Sequence, residues 1–254
     1  MTGLRCFILR ILSTACAFVV LASATALSRD LVVFAEPSLA NALHSVAALW
    51  HADSKQRTNV FLSATDLSYA QIDRGARCDA IFAVAGAQTN EAAQRKVIRA
   101  DTVSRIFRNG LTLIGSEQAL PISSGLDIPR LLEGKRLAIA NPDRDISGAR
   151  ALEFLRSIGF AAQPTDSSLL VAESSGGVVD LIAAGKASFG IVYSSDAIAR
   201  FKPIAALPPD QGSVEFIVAT SRDAQVDTRE FLQFLRSAPA KNAFTLAGLE
   251  VIEQ

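Results

Sequence analysis

Hydrogen-bond donors gather at five turns of this 254-residue sequence, each where an apolar run gives way to polar or helical patterning. Ser38 follows Leu31 to Pro37, and Ser63 and Thr65 lie in Leu62-Ser63-Ala64-Thr65-Asp66. Ser147 precedes Gly148 in the turn from Asn141, Ser175 stands in Glu173-Ser174-Ser175-Gly176-Gly177, and Tyr193 ends the run Phe189 to Val192. A hydroxyl or backbone N–H at the start of a helix, where the N–H groups lack partners and the dipole end is positive, can hold an anion without reacting with it. Each of these serines is equally an ordinary helix cap, and the Gly-Gly pair equally a flexible loop.

Parts for catalysis are missing. His44 and His51 are the two histidines, seven apart on one helical pattern, and no cysteine or acidic cluster beside them completes a metal site. Six residues along a helix put Ser38 and His44 on different faces, which rules out a local Ser-His pair. No Gly-x-Ser-x-Gly elbow or phosphate-binding loop occurs. The expectation is a binding protein and not an enzyme, with no cofactor.

The elements that must position these turns read as alternating strands and helices. Leu31 to Ala35 is a short apolar run suited to a buried strand, and Leu39, Ala42, Leu43, Val46, Ala47 and Trp50 then recur at helical spacing. Asn59 to Leu62 and Ala80 to Val84 repeat the unit. A second series runs through Arg105 to Gly110, Leu111 to Gly115, Arg136 to Ala140, Ser167 to Val171 and Ser188 to Val192, with helices at Gly148 to Ile158 and Gly177 to Ala184. Val214 to Thr220 is a further apolar run, and helices over Thr228 to Leu235 and Pro239 to Leu246 close the chain. Such alternation predicts an α/β fold in two lobes, each with a parallel-rich sheet.

Residues 1–26 have the form of a secretory signal, with Arg5 and Arg10 before the apolar Ile11 to Leu21 and the small-residue end Ala24-Thr25-Ala26. Their removal takes away Cys6 and Cys16 and leaves Cys78 alone, so the exported chain forms no internal disulfide and relies on its core. Losing Arg5 and Arg10 turns 25 basic and 25 acidic residues into 23 and 25, a balance that gives no support for nucleic acid as a partner.

Gly190-Ile-Val-Tyr-Ser-Ser-Asp-Ala197 and Phe34-Ala35-Glu36-Pro37-Ser38-Leu39 together resemble segments of the periplasmic molybdate-binding proteins of ABC importers, which are type II solute-binding proteins. The resemblance implies two lobes around a ligand cleft, residues 27–109 plus 217–254 and residues 110–216. It implies an oxyanion held by the hydroxyls of Ser38 and Thr65, by main-chain N–H groups at Ser147 and Ser175, and by the Tyr193 phenol. Ser63 is the alternative to Thr65, and counting from Phe61 favours Ala64. The implied partners are molybdate or tungstate and an inner-membrane ABC permease, with the protein a periplasmic monomer and no protein atom bonded directly to the metal.

Neutral donors suit such a ligand. A dianion without protons offers only acceptors, whereas phosphate carries a proton and needs an acceptor in its site. Glu36 departs from this pattern, because a small residue is common at its place in the resembled family, and two unit charges 4 Å apart repel by about 4 kcal/mol at an effective dielectric of about 20. Its expected place is outside the cleft, at the positive end of the helix that follows it. Phe82 to Gly86 also lacks the acidic residue common after the third strand of that family, and Thr65 adds a methyl group where serine is usual. A sensor or scavenger of another anion or small organic acid stays open beside transport.

Overall fold

The computed structural model describes residues 29–115, 128–131, 133–160 and 168–253. The signal segment, residues 1–26, lies outside the described residues.

The chain alternates as its patterning predicts. It runs β1 (Leu31–Ala35), a 3-10 turn (Pro37–Leu39), α1 (Ala40–Ser54), β2 (Thr58–Leu62), α2 (Thr65–Asp73), β3 (Ala80–Val84) and α3 (Ala87–Gln94). The long β4 (Ser104–Gly115) follows, then α4 (Ile128–Leu131), β5 (Leu137–Ala140), α5 (Ile146–Ser157), β6 (Leu169–Ala172), α6 (Ser175–Ala183), β7 (Phe189–Tyr193) and α7 (Ser194–Ala197). The chain ends in β8 (Ala205–Ala206), α8 (Pro209–Gly212), β9 (Ser213–Thr220), α9 (Arg229–Phe234), α10 (Ala238–Leu246) and β10 (Glu250–Val251).

The strands lie in the order β2-β1-β3-β9-β4-β7-β5-β6, with β8 and β10 both pairing β4. Pairing is parallel for β1 with β2 and β3, and for β5 with β6 and β7. It is antiparallel around β9 and β4, the strands that join the two halves. Arg105 to Gly110 and Leu111 to Gly115, read separately in the sequence, form one continuous strand: Ser104 to Gly110 pairs β9 and Leu111 to Gly115 pairs β7.

Helices cover both faces of the buried strands, which is why β1, β5 and β7 are apolar throughout and do not alternate. On α1, Ala42, Leu43, Val46 and Trp50 are buried at helical spacing, and the Trp50 ring meets Phe231 and Phe234 at centroid distances of 5.6 and 5.3 Å. His44 and His51 are exposed on the opposite side of that helix. The fully buried Asp79 accepts from Val32 N–H (2.8 Å), Gln225 N–H (2.8 Å) and Val226 N–H (3.2 Å), tying the first strand to the segment after β9.

Two helices begin earlier than their apolar periodicity suggests. α5 starts at Ile146 and α6 at Ser175, so Ser147 and Ser175 lie within first helical turns and not in the loops before them. The glycines make the close approach possible. A Cβ on Gly148 would stand 2.2 Å from the Ala140 carbonyl oxygen, and one on Gly190 would stand 2.6 Å from Val178. Each helix therefore rests directly on a strand, with its N-terminus at that strand's carboxyl end.

Candidate functional site

The first half of the fold brings two of the five turns together through a carboxylate. Thr65 is the first residue of α2, so its N–H has no partner within the helix. Glu36 supplies one: its Oε1 accepts from Thr65 N–H (2.5 Å) and from the Thr65 hydroxyl (2.6 Å). The same hydroxyl accepts from Val84 N–H (3.0 Å), which fixes it between β3 and Glu36. Thr65 is thus the buried, engaged hydroxyl of this turn, while the Ser63 hydroxyl makes only a long contact to the Ala64 carbonyl (3.5 Å).

This corrects the sequence expectation for Glu36. Its side chain makes no capping bond to the helical segment that follows it and turns to the start of α2. Burial raises the carboxyl above its ordinary pKa, the Thr65 hydrogen bonds pull it down, and Asp145 and Asp66 push it up again. Ser38 sits two residues on, and its hydroxyl is buried without a hydrogen-bond partner among the described residues.

The other three positions form a second hydrogen-bonded set. Asp145 caps α5, with Oδ1 accepting from Ser147 N–H (2.8 Å) and the Ser147 hydroxyl (2.6 Å). Its Oδ2 accepts from Ser175 N–H (3.2 Å), so one carboxylate bridges the starts of α5 and α6. The Ser175 hydroxyl accepts from Tyr193 N–H (2.9 Å) and also supports Asp196, whose pKa burial raises to about 6, with Asp145 adding to the rise. Burial holds the Tyr193 phenol well above its usual range, and Asp145, Glu36 and Asp196 reinforce that, so it stays a donor. Its hydroxyl makes no hydrogen bond among the described residues, although the residue is only 4 % exposed.

A third set joins the two halves. The Ser195 hydroxyl donates to the Ser38 carbonyl (3.0 Å) and accepts from the Asn109 amide (2.8 Å), while Ser195 N–H reaches the Asn109 oxygen (3.4 Å). Asn109 is fully buried at the point where β4 changes partner.

Sequence reasoning missed Asp145, Asp196, Asn109 and Ser195 as members of the site. Asp145 carried a signal, since Asp two residues before Ser147 is a helix-capping arrangement. Asn109 carried none, because its partner lies 86 residues away.

Two cavities lie outside this constellation. One of about 720 Å³ is bounded by β4, α9 and α10, and none of the five residues lines it. One of about 510 Å³ touches Val84, Gly86, Ile146 and Arg150, so it lies beside the ends of β3 and α5 without reaching the five. Chemically, the site is an array of O–H and N–H donors at three helix starts. Thr65, Ser147 and Ser175 already hold carboxyl oxygens, an arrangement able to bind an anion.

Residues 31–250 match the family model described as bacterial extracellular solute-binding protein. The molybdate-binding protein ModA of Escherichia coli is 28% identical over 246 residues, spanning 93% of this chain and 95% of that protein. Among solved structures, the periplasmic molybdate-binding protein of Azotobacter vinelandii superposes with a TM-score of 0.76 at 18% identity, covering 89% of this chain and 100% of that one. The tungstate ABC transporter structure from Geobacter sulfurreducens gives a TM-score of 0.64 at 11% identity, covering 85% of this chain and 97% of that one.

Proposed function

The chain belongs to the bacterial extracellular solute-binding protein family, and on that premise we propose that it is a periplasmic receptor for a tetrahedral oxyanion, molybdate or tungstate, which it delivers to an inner-membrane ABC importer. The observation that carries this reading is the state of the donors. Thr65 N–H and hydroxyl, Ser147 N–H and Ser175 N–H each point at a carboxyl oxygen, and the buried Ser38 hydroxyl has no partner among the described residues. Ser38, Thr65, Ser147, Ser175 and Tyr193 are the proposed ligand-binding residues. The relatives named for molybdate support the choice of anion.

Export by a cleavable signal over residues 1–26 belongs to the same reading, and no helix among the described residues is long and apolar enough to cross a membrane. The proposed lobes are residues 27–109 plus 217–254 and residues 110–216. The change of partner along β4, from β9 up to Gly110 to β7 from Leu111, supports that division. The protein acts as a monomer that binds and releases, with no chemical step.

Calorimetric titration with molybdate, tungstate, sulfate and phosphate tests the assignment. Molybdate or tungstate is expected to bind tightly, and at about 100 times its Kd to stabilise the fold by about 2.7 kcal/mol in a thermal melt. Absence of both heat and stabilisation with the two group-six oxyanions would overturn it.

A further inference from the structure

Glu36 takes up both donors of Thr65, one of the residues proposed to bind the ligand. Thr65 has one hydroxyl hydrogen and one N–H, and both go to Glu36 Oε1. Its hydroxyl lone pair meanwhile takes Val84 N–H, so three contacts fix the orientation. Glu36 Oε2 makes no hydrogen bond among the described residues, and it is not among the buried side-chain oxygens that lack a partner. An anion arriving at this turn therefore finds both Thr65 donors taken and a carboxyl group beside them. An ionised carboxylate and a fully deprotonated oxyanion offer each other only lone pairs, and two acceptors in contact need a proton between them.

We propose that Glu36 is a specificity-determining residue of the cleft, which keeps its bonds to Thr65 and takes up one proton from solvent when a fully deprotonated oxyanion binds, donating it from Oε2 to an anion oxygen. This rests on the oxyanion reading above. The groups that face Glu36 favour the proton. Asp66 on α2, Asp145 before α5 and Tyr193 at the end of β7 all act on it or feel its charge, and the cation acting at Tyr193 is Arg150. Burial already biases Glu36 toward its acid form before any dianion arrives. Glu36 thus turns a donor-only cage into one that counts a proton.

The test is calorimetric titration of the full exported chain with molybdate in two buffers of different ionisation enthalpy, repeated between about pH 6 and about pH 8.5, for wild type and Glu36→Gln. Wild type is expected to take up a proton on binding the anion, its affinity falling as pH rises. Glu36→Gln mimics the protonated acid and is expected to bind with no proton uptake and a flat profile. Wild-type binding without proton uptake would overturn the inference and leave the oxyanion reading standing. Equal uptake by both proteins would move the proton to another group and overturn it too. Binding by the variant alone would show a carboxylate that only repels, which is equally fatal to the inference. If neither protein binds molybdate or tungstate, the oxyanion reading falls and takes this one with it. If a thermal melt shows Glu36→Gln misfolded, Glu36→Ala takes its place, with loss of proton uptake expected and retained uptake overturning the inference.

Discussion

At Asp145 a single carboxylate gathers two donors from Ser147 and one from Ser175, and at Glu36 another gathers both donors of Thr65. The serines and the threonine were singled out in sequence by the family resemblance and by their place at helix starts, although their hydroxyls do not cap those helices: Asp145 caps α5 and Ser174 caps α6. Apart from the local cap of Asp145 on Ser147, the targets of the carboxylates were not. Glu36 and Thr65 are 29 residues apart and meet because β1 and β2 are adjacent and parallel, Ala35 pairing with Leu62. Asp196 carries a consequence at this scale. Its pKa, raised to about 6 chiefly by burial, lies above the ordinary carboxylate value of about 4, so the folded state binds that proton more tightly than the unfolded chain. The stability it contributes is complete below about pH 4 and is lost as pH rises through about 6, and Glu36 works in the same direction. Melting temperature followed from about pH 7.5 to about pH 5 is expected to show a smaller acid-side gain in Asp196→Asn than in wild type. Parallel profiles would dismiss the effect.

Helices and strands came through the sequence well where burial repeats. Leu31–Ala35 and Ala80–Val84 have the bounds that their apolar runs predict, and α1 buries the residues its spacing marks, apart from the half-buried Ala47. Helix starts were read late at α5 and α6, because apolar periodicity begins only where a helix meets the core, whereas the first turn is held by capping groups. That shift of two residues matters, since it turns Ser147 and Ser175 from loop residues into owners of unpaired helical N–H groups. Gly148 is what lets α5 begin against β5. Gly148→Ala would drive a methyl group into the Ala140 carbonyl and is expected to cost about 1–3 kcal/mol. Urea unfolding measures the loss, and a cost within error of zero would show that α5 can lift from the strand freely.

For the whole molecule, the decisive element is β4, which serves both halves of the sheet and carries the buried Asn109 where its partner changes. Asn109, Ser195 and the Ser38 carbonyl form a polar link between distant parts of the chain, next to the proposed ligand-binding serine. Removing Asn109 would strip Ser195 of a donor and an acceptor at a buried place. Asn109→Ala is expected to cost about 1–3 kcal/mol, because the groups left behind lose partners without regaining water. In a double-mutant cycle with Ser195→Ala the two losses are expected to be non-additive by about 0.5–3 kcal/mol. Simple additivity would mean that the contact does not couple the halves. By itself, the sequence determined the alternation of strands and helices, the apolar interior and the hydroxyl-bearing turns, since these depend on neighbours a few residues apart. Tertiary structure alone decided that β4 runs through both halves, that Asn109 meets Ser195, and that Glu36 and Asp145 occupy the donors. Apart from the local cap of Asp145 on Ser147, those contacts join residues 29 to 86 positions apart, and no local periodicity encodes which strand ends will lie side by side.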